Sequence, residues 1–267
     1  MGPLWIYLVT GFVIFVSHVV GAMTGFGNAV FALPLLAVLV GLDVSKAALA
    51  LLSIVLYSNI AVRECRHVDV KGALTIVAFA GIGMAAGMHL FAVLPVRVSE
   101  MALGVFVAAV GAQGLWRPER LRTLPAWVGR GCLLAGGAVH GAFTIGGPLL
   151  VIYAQRAFPE KRVFRATLSI VWLLLNLGLM MGWTVSGTWP DLAATVSLTA
   201  LALPFLAAGL VTGEHLHGRL DGEKLRAWIN VFLILNGLML ALEGRLNILD
   251  NRNQRMLSGG VTSYSFK

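Results

Sequence analysis

The chain has 267 residues, of which 58% are hydrophobic and 12% are charged. Soluble domains carry about 25% charged residues, so this composition predicts that lipid, not water, surrounds most of the chain. The net charge of +8 does not indicate nucleic acid binding, because membrane proteins collect basic residues in their cytoplasmic loops.

The first half of the sequence consists of apolar runs separated by charged residues, glycine or proline. The runs are 4–20, 29–40, 46–62, 71–94 and 98–116. About 20 consecutive apolar residues are long enough to cross a bilayer as a helix. Residues 21–27, with the sequence GAMTGFG, form a glycine-rich break between the first two runs.

The second half repeats this plan with the runs 126–139, 149–155, 163–185, 192–212 and 225–242. Residues 141–147, GAFTIGG, keep the glycine, alanine, threonine and final glycine of the first break. Asn28 follows the first break and Pro148 the second, and both residue types favour the beginning of a helix. The runs beside the second break are short, which favours a re-entrant hairpin, although full spans and half-helices both stay open.

The duplication extends beyond the breaks. Residues 87–90, GMHL, resemble residues 213–216, GEHL. We therefore predict two repeats, residues 1–118 and 119–249, followed by a disordered polar tail at residues 250–267.

The distribution of basic residues predicts how these repeats lie in the membrane. Loops 63–71, 117–130, 156–165 and 219–226 are rich in Lys and Arg and belong in the cytoplasm. This assignment places the N-terminus outside and gives each half an odd number of crossings, so the halves are inverted relative to each other. The predicted fold class is an all-α polytopic membrane protein with two inverted repeats and about eight to ten membrane segments.

Glycine breaks at corresponding places in two halves are the best sequence indication of a transporter's binding site. A helix beginning leaves amide groups without partners and carries partial positive charge, so two such beginnings would form a pocket for an oxyanion. The predicted substrate-binding residues are Thr24, Gly25, Gly27, Asn28, Thr144, Gly146, Gly147 and Pro148. The alternative is that these glycines only allow close helix packing.

Other polar residues in the apolar runs are secondary candidates. His18 and His140 each approach a break and could carry a coupling proton, although a structural role is the alternative for both. Ser53, Tyr57 and Asn176 also lie within apolar runs, where unpaired polar groups are costly. No intramembrane carboxylate relay, hydrolase motif, nucleotide loop or metal-ligand spacing is present, so we expect no enzyme activity, cofactor or metal site.

Several stretches resemble the sulfite exporter TauE/SafE family. They are residues 21–36, 68–70 leading to Gly83 and Gly87, 146–153, and 164–168 followed by Asn176. The resemblance implies an inner-membrane permease that moves sulfite, sulfonates or related organosulfur anions, typically outward. Asn28 and Ala29 depart from the family pattern, in which further glycines commonly follow Gly27. Arg165 is a candidate anion contact near the cytoplasmic mouth, with a role in topology as its alternative.

The glycine breaks predict a secondary transporter of a small anion, and the resemblance implies that it exports a small sulfur-containing anion across the inner membrane. A membrane-embedded enzyme or assembly factor, and an anion channel, are the alternatives. The predicted partners are the anion and membrane lipids. The transported anion, the direction, the coupling ion and homo-oligomerisation stay open.

Overall fold

The computed structural model describes residues 4–116, 125–216, 230–231, 233–235 and 237–242, and these residues form helices and turns without a strand. The helices are α1 (Leu4–Thr24), α2 (Asn28–Val40), α3 (Leu42–Arg63), α4 (Val70–Val93), α5 (Val96–Trp116), α6 (Ala126–Phe143), α7 (Gly147–Ala157), α8 (Lys161–Ser186) and α9 (Leu192–Leu216). A 3-10 turn, Cys65–His67, precedes α4. The predicted repeat boundary at residue 118 and the tail 250–267 lie outside the described residues.

Six of the described helices are long and apolar enough to cross a membrane. They are Trp5–Thr24, Leu42–Arg63, Val70–Leu90, Arg97–Leu115, Lys161–Ser186 and Leu192–Leu216. Two shorter apolar helices, Asn28–Val40 and Leu233–Leu242, accompany them. Large apolar side chains such as Phe12, Val185 and Val211 are exposed on the outside of the bundle, as lipid contact requires. The prediction of an all-α polytopic membrane protein is confirmed.

Each glycine break joins a long helix to a short one. Helices α2 and α7 have 13 and 11 residues. At a rise of about 1.5 Å per residue they span only about 20 and 17 Å of a hydrocarbon core that is about 30 Å thick. Helix α1 is a full-length span, and α6 continues through glycine-rich sequence to Phe143, four residues beyond the apolar run 126–139.

The helix contacts of the two halves correspond to each other. Helix α1 packs along α9, and α6 packs along α4; α3 contacts α9, and α8 contacts α4. Helices α3 and α8 pack against each other. Let α1, α2, α3 and α4 correspond to α6, α7, α8 and α9, respectively. The contact of α1 with α9 then corresponds to that of α6 with α4, and the contact of α3 with α9 corresponds to that of α8 with α4. The contact between α3 and α8 corresponds to itself. This is the pattern expected of two structurally equivalent halves.

The repeated glycines outside the breaks lie at these corresponding interfaces. A β carbon at Gly87 in α4 would collide with the carbonyl oxygen of Ala138 in α6. A β carbon at Gly213 in α9 would lie 2.6 Å from the carbonyl oxygen of Val19 in α1. Both glycines therefore allow two helix backbones to approach closely, which is the usual role of small residues in membranes.

Polar contacts bring several charged segments to one end of the bundle. Arg63 at the end of α3 forms an ion pair of 2.6 Å with Glu214 in α9. The amide of Asp69 donates to the Thr167 hydroxyl at 2.9 Å, which links the beginnings of α4 and α8. The basic segments 63–71 and 156–165 are therefore neighbours in space, as a common side of the membrane would require.

Candidate functional site

The first break is a tight turn that depends on glycine. Helix α1 ends at Thr24, and Gly25 and Gly27 have φ angles of 79° and 89°, in the left-handed region. Side chains with a β carbon rarely adopt this region, so glycine is the natural residue at both positions. The Thr24 hydroxyl lies 2.8 Å from the Val20 carbonyl oxygen and accepts the Phe26 amide at 3.3 Å. Thr24 thus stabilises the turn itself.

The second break is built differently. Thr144 has a φ of 63° and is the one non-glycine residue with positive φ in the described part of the chain. Its amide donates to the His140 carbonyl oxygen at 2.7 Å and ends α6. Gly146 packs against the backbone of Gly136, and Pro148 lies in the first turn of α7. The positive φ of Thr144 is a backbone strain that costs about 1–3 kcal/mol, and such strain clusters at functional sites.

The two breaks meet at one small cavity. Its lining comes from both breaks and from α3, α6 and α8: Gly27, Asn28, Ala29, Ser53, Tyr57, His140, Thr144, Gly147, Trp172 and Asn176. The cavity has a volume of about 20 Å³, which is room for roughly one water in this conformation. A compact ligand therefore suits the site better than an extended one.

Half of the predicted substrate-binding residues lie in this lining. Gly27, Asn28, Thr144 and Gly147 line the cavity, and so does His140. The other predicted residues lie outside the lining: Thr24, Gly25, Gly146, Pro148, His18 and Arg165.

The beginnings of α2 and α7 both lie at the cavity. Neither helix has a side-chain hydrogen bond at its N-cap. The first amide groups of any helix lack an intrahelical partner, and each helix beginning carries partial positive charge. None of the ten lining residues is Asp, Glu, Lys or Arg. An anion in this cavity would be bound mainly by backbone amides and neutral donors.

Asn28 has a different role from a helix cap. Its side-chain nitrogen donates to the Ser53 hydroxyl at 2.9 Å, and its side-chain oxygen accepts the Tyr57 hydroxyl at 2.8 Å. Ser53 and Tyr57 lie in α3. The beginning of α2 is therefore fixed to a membrane-spanning helix by two buried hydrogen bonds.

Four other residues of the lining carry buried polar atoms without partners. The His140 ring nitrogens, Thr144 Oγ1, Trp172 Nε1 and Asn176 Oδ1 make no hydrogen bond within the described residues. These four residues are 2–4% exposed. Leaving a buried polar group unsatisfied costs about 1–3 kcal/mol. Several such groups around one cavity provide hydrogen-bonding atoms that suit a polar ligand.

Trp172 was not among the site residues predicted from the sequence. This residue lies near the middle of α8, and its ring centroid is 5.7 Å from that of His140. Tryptophans in membrane proteins usually lie at the two interfaces. Trp172 lies far from both ends of its apolar run, and this position could have distinguished it from the interfacial tryptophans.

His18 and Arg165 lie at helix interfaces near the first break. His18 Nδ1 is 2.8 Å from the Ile14 carbonyl oxygen within α1. Arg165 Nε donates to the Ala22 carbonyl oxygen at 3.0 Å, and Nη1 lies 3.2 Å from Glu64 Oε1. Arg165 also packs against Gly25. Arg165 therefore joins the end of α1 to α8 and to the turn after α3.

Comparison with known proteins agrees with this membrane architecture. The family model described as Sulfite exporter TauE/SafE matches residues 10–240. The probable inner membrane transporter protein TsaS of Comamonas testosteroni is 26% identical over 160 residues, which are 60% of this chain and 66% of that relative. The match thus spans just under two thirds of the relative's length. No solved structure matches. Because the family model covers most of the chain, the protein belongs to the sulfite exporter TauE/SafE family of membrane transporters.

Proposed function

We propose that the protein is a secondary transporter that exports a small sulfur-containing anion, such as sulfite or an organosulfonate, across the inner membrane. The cavity between the two breaks is its binding site. The observation that supports this most directly is the meeting of two uncapped helix beginnings with a group of unpartnered buried polar atoms. The family description names a sulfite exporter, and the name of the relative describes an inner membrane transporter; both agree with this proposal.

The composition of the site suits an anion that must be bound and then released. Each helix beginning contributes the equivalent of about half a positive charge. Trp172 Nε1 and the Thr144 hydroxyl can donate hydrogen bonds to oxyanion oxygens. None of the lining residues is Lys or Arg, so the anion forms no ion pair with a buried cation that would slow its release.

We further propose that the halves are inverted repeats that operate by alternating access, with the N-terminus outside. The corresponding contacts α1–α9 and α4–α6 support this proposal. The close approaches at Gly87 and Gly213 support it as well. Of the two candidate histidines, His140 is assigned to proton coupling because it lines the cavity.

Transport of labelled sulfite by the purified protein in proteoliposomes tests the proposal. A β carbon at Gly147 would lie 3.8 Å from Val30 Cγ2 and 3.9 Å from Trp172 Cζ2, in ordinary contact. Gly147→Leu should therefore accommodate its β carbon while the rest of the larger side chain occupies the cavity, and its melting temperature in detergent checks that the fold is preserved. We expect wild-type protein to transport sulfite and Gly147→Leu to be inactive.

Gly81→Leu is the matched control. Gly81 lies within α4, and an added β carbon there would have no atom within 4 Å. This variant should transport sulfite at the wild-type rate. Transport by Gly147→Leu at the wild-type rate would refute the assignment of the site, and absence of anion transport by wild-type protein would refute the function.

A further inference from the structure

One of the unpartnered atoms at the cavity belongs to the Asn176 side-chain amide, and a hydrogen bond determines the orientation of that amide. Asn176 Nδ2 donates to the Trp172 carbonyl oxygen at 2.8 Å, one helical turn earlier in α8. Reversing the amide would place Asn176 Oδ1 against another carbonyl oxygen, so the hydrogen bond determines the orientation. The atom without a partner is therefore Oδ1, which only accepts hydrogen bonds.

The other unpartnered side chains of the lining can donate hydrogen bonds. Trp172 Nε1 is a donor only, the Thr144 hydroxyl can donate, and a neutral His140 ring carries one N–H. These groups complement the oxygens of an oxyanion. A fully deprotonated oxyanion has no hydrogen for Asn176 Oδ1, and its negative oxygens would be repelled by that carbonyl oxygen.

We propose that Asn176 is a specificity-determining residue and that the site selects small oxyanions that carry an O–H or N–H group of their own. Hydrogen sulfite is favoured over the sulfite dianion, and hydroxy- or amino-substituted sulfonates are favoured over unsubstituted ones. This inference rests on the proposed function, because it concerns the same cavity. Asn176 is 2% exposed, so bulk water does not compensate for a missing ligand hydrogen.

An anion without an O–H or N–H group leaves Asn176 Oδ1 unpaired, and the cost of this unpaired acceptor sets the size of the preference. Sites built to hydrogen-bond a ligand hydroxyl discriminate strongly against analogues that lack it. We expect a preference of roughly tenfold or more between two sulfonates that differ by one hydroxyl group.

The experiment compares isethionate, which is 2-hydroxyethanesulfonate, with ethanesulfonate as inhibitors of sulfite uptake into proteoliposomes. In wild-type protein, isethionate should inhibit at a concentration roughly tenfold lower than ethanesulfonate, or lower still. In Asn176→Leu, which replaces the amide by an apolar group of similar size, the two inhibitors should become equivalent.

Asn59→Leu is the matched control. Asn59 Oδ1 is also buried and unpartnered, but Asn59 lies in α3 outside the cavity lining. This variant should keep the preference for isethionate. Equal inhibition of wild-type protein by both sulfonates, inhibition by neither, or a preference that survives in Asn176→Leu would overturn the inference.

A second measurement separates this inference from the proposed function. If wild-type protein transports neither sulfite nor a sulfonate, the proposed function fails, and ligand binding is then followed by the melting temperature of the protein in detergent. Isethionate should raise the melting temperature at lower concentration than ethanesulfonate, and only when Asn176 is present. Equal shifts, or no shift with either sulfonate, would overturn the inference.

Discussion

Trp172→Phe tests the contribution of one buried donor to anion binding. The substitution removes the indole N–H but retains an aromatic ring beside His140. Trp172 Nε1 has no partner among the described residues, so no hydrogen bond within the protein competes with the anion for it. Hydrogen bonds to charged groups contribute about 1.5–3 kcal/mol. This corresponds to a roughly 10- to 150-fold increase in the apparent Km for sulfite, since each 1.4 kcal/mol is about a factor of ten.

Trp183→Phe provides the control for the loss of ring volume. Trp183 lies on the same helix and is also 4% exposed, but it packs against Trp189 at a centroid distance of 5.4 Å and does not line the cavity. Its Km for sulfite should stay within about twofold of wild type, because surroundings away from the site contribute little to binding.

Both variants are assayed by initial rates of sulfite uptake in proteoliposomes and by melting temperature in detergent. Trp172→Phe should lose less thermal stability than Trp183→Phe, because it also removes an unsatisfied buried donor. An unchanged Km in Trp172→Phe, or equal increases in the two variants, would refute the assignment of Trp172 as a donor to the anion.

Three further predictions concern the first break, the coupling residue and the topology. Gly27 and Gly41 both have a φ of 89°, with ψ angles of −10° and 151°, so alanine at either should cost roughly 1–3 kcal/mol in backbone strain. The melting temperature should fall in both variants, but sulfite uptake should fall only in Gly27→Ala. His140→Gln should abolish the stimulation of uptake by a pH gradient, whereas His18→Gln should keep it, and the reverse result would transfer coupling to His18. Cys65 is exposed and free and lies in the loop 63–71 that is predicted to be cytoplasmic. In cells that express the Cys132→Ser variant, a membrane-impermeant maleimide should therefore label Cys65 only after the cells are permeabilised. Labelling of intact cells would contradict the proposed topology.

The long apolar runs and the glycine breaks could be predicted from the sequence because each depends on local chemistry. Lipid requires continuous apolar helices, and a break requires residues such as Gly25 and Gly27 that tolerate positive φ. The half-length helices after the breaks were an open alternative, and the end of α6 at Phe143 was not evident because glycines within a membrane helix resemble a break.

The side-chain contacts of the site depend on distant parts of the chain and could not be predicted in the same way. Asn28 was expected at a helix beginning, but its hydrogen bonds to Ser53 and Tyr57 depend on how α2 packs against α3. Thr24 and Thr144 occupy equivalent motif positions, yet only the Thr144 hydroxyl lacks a partner and only Thr144 lines the cavity. The two breaks have different backbone conformations, and this difference separates the two residues.

The position of a bound oxyanion is the most direct test of the central proposal. Selenite is a close analogue of sulfite, and selenium can be located by its anomalous scattering in crystals of the purified protein soaked with selenite. We expect an anomalous peak between the beginnings of α2 and α7, within hydrogen-bonding reach of the backbone amide of Asn28 and of Trp172 Nε1. A peak at another site in the membrane-spanning region, with this cavity empty, would refute the assignment of the binding site.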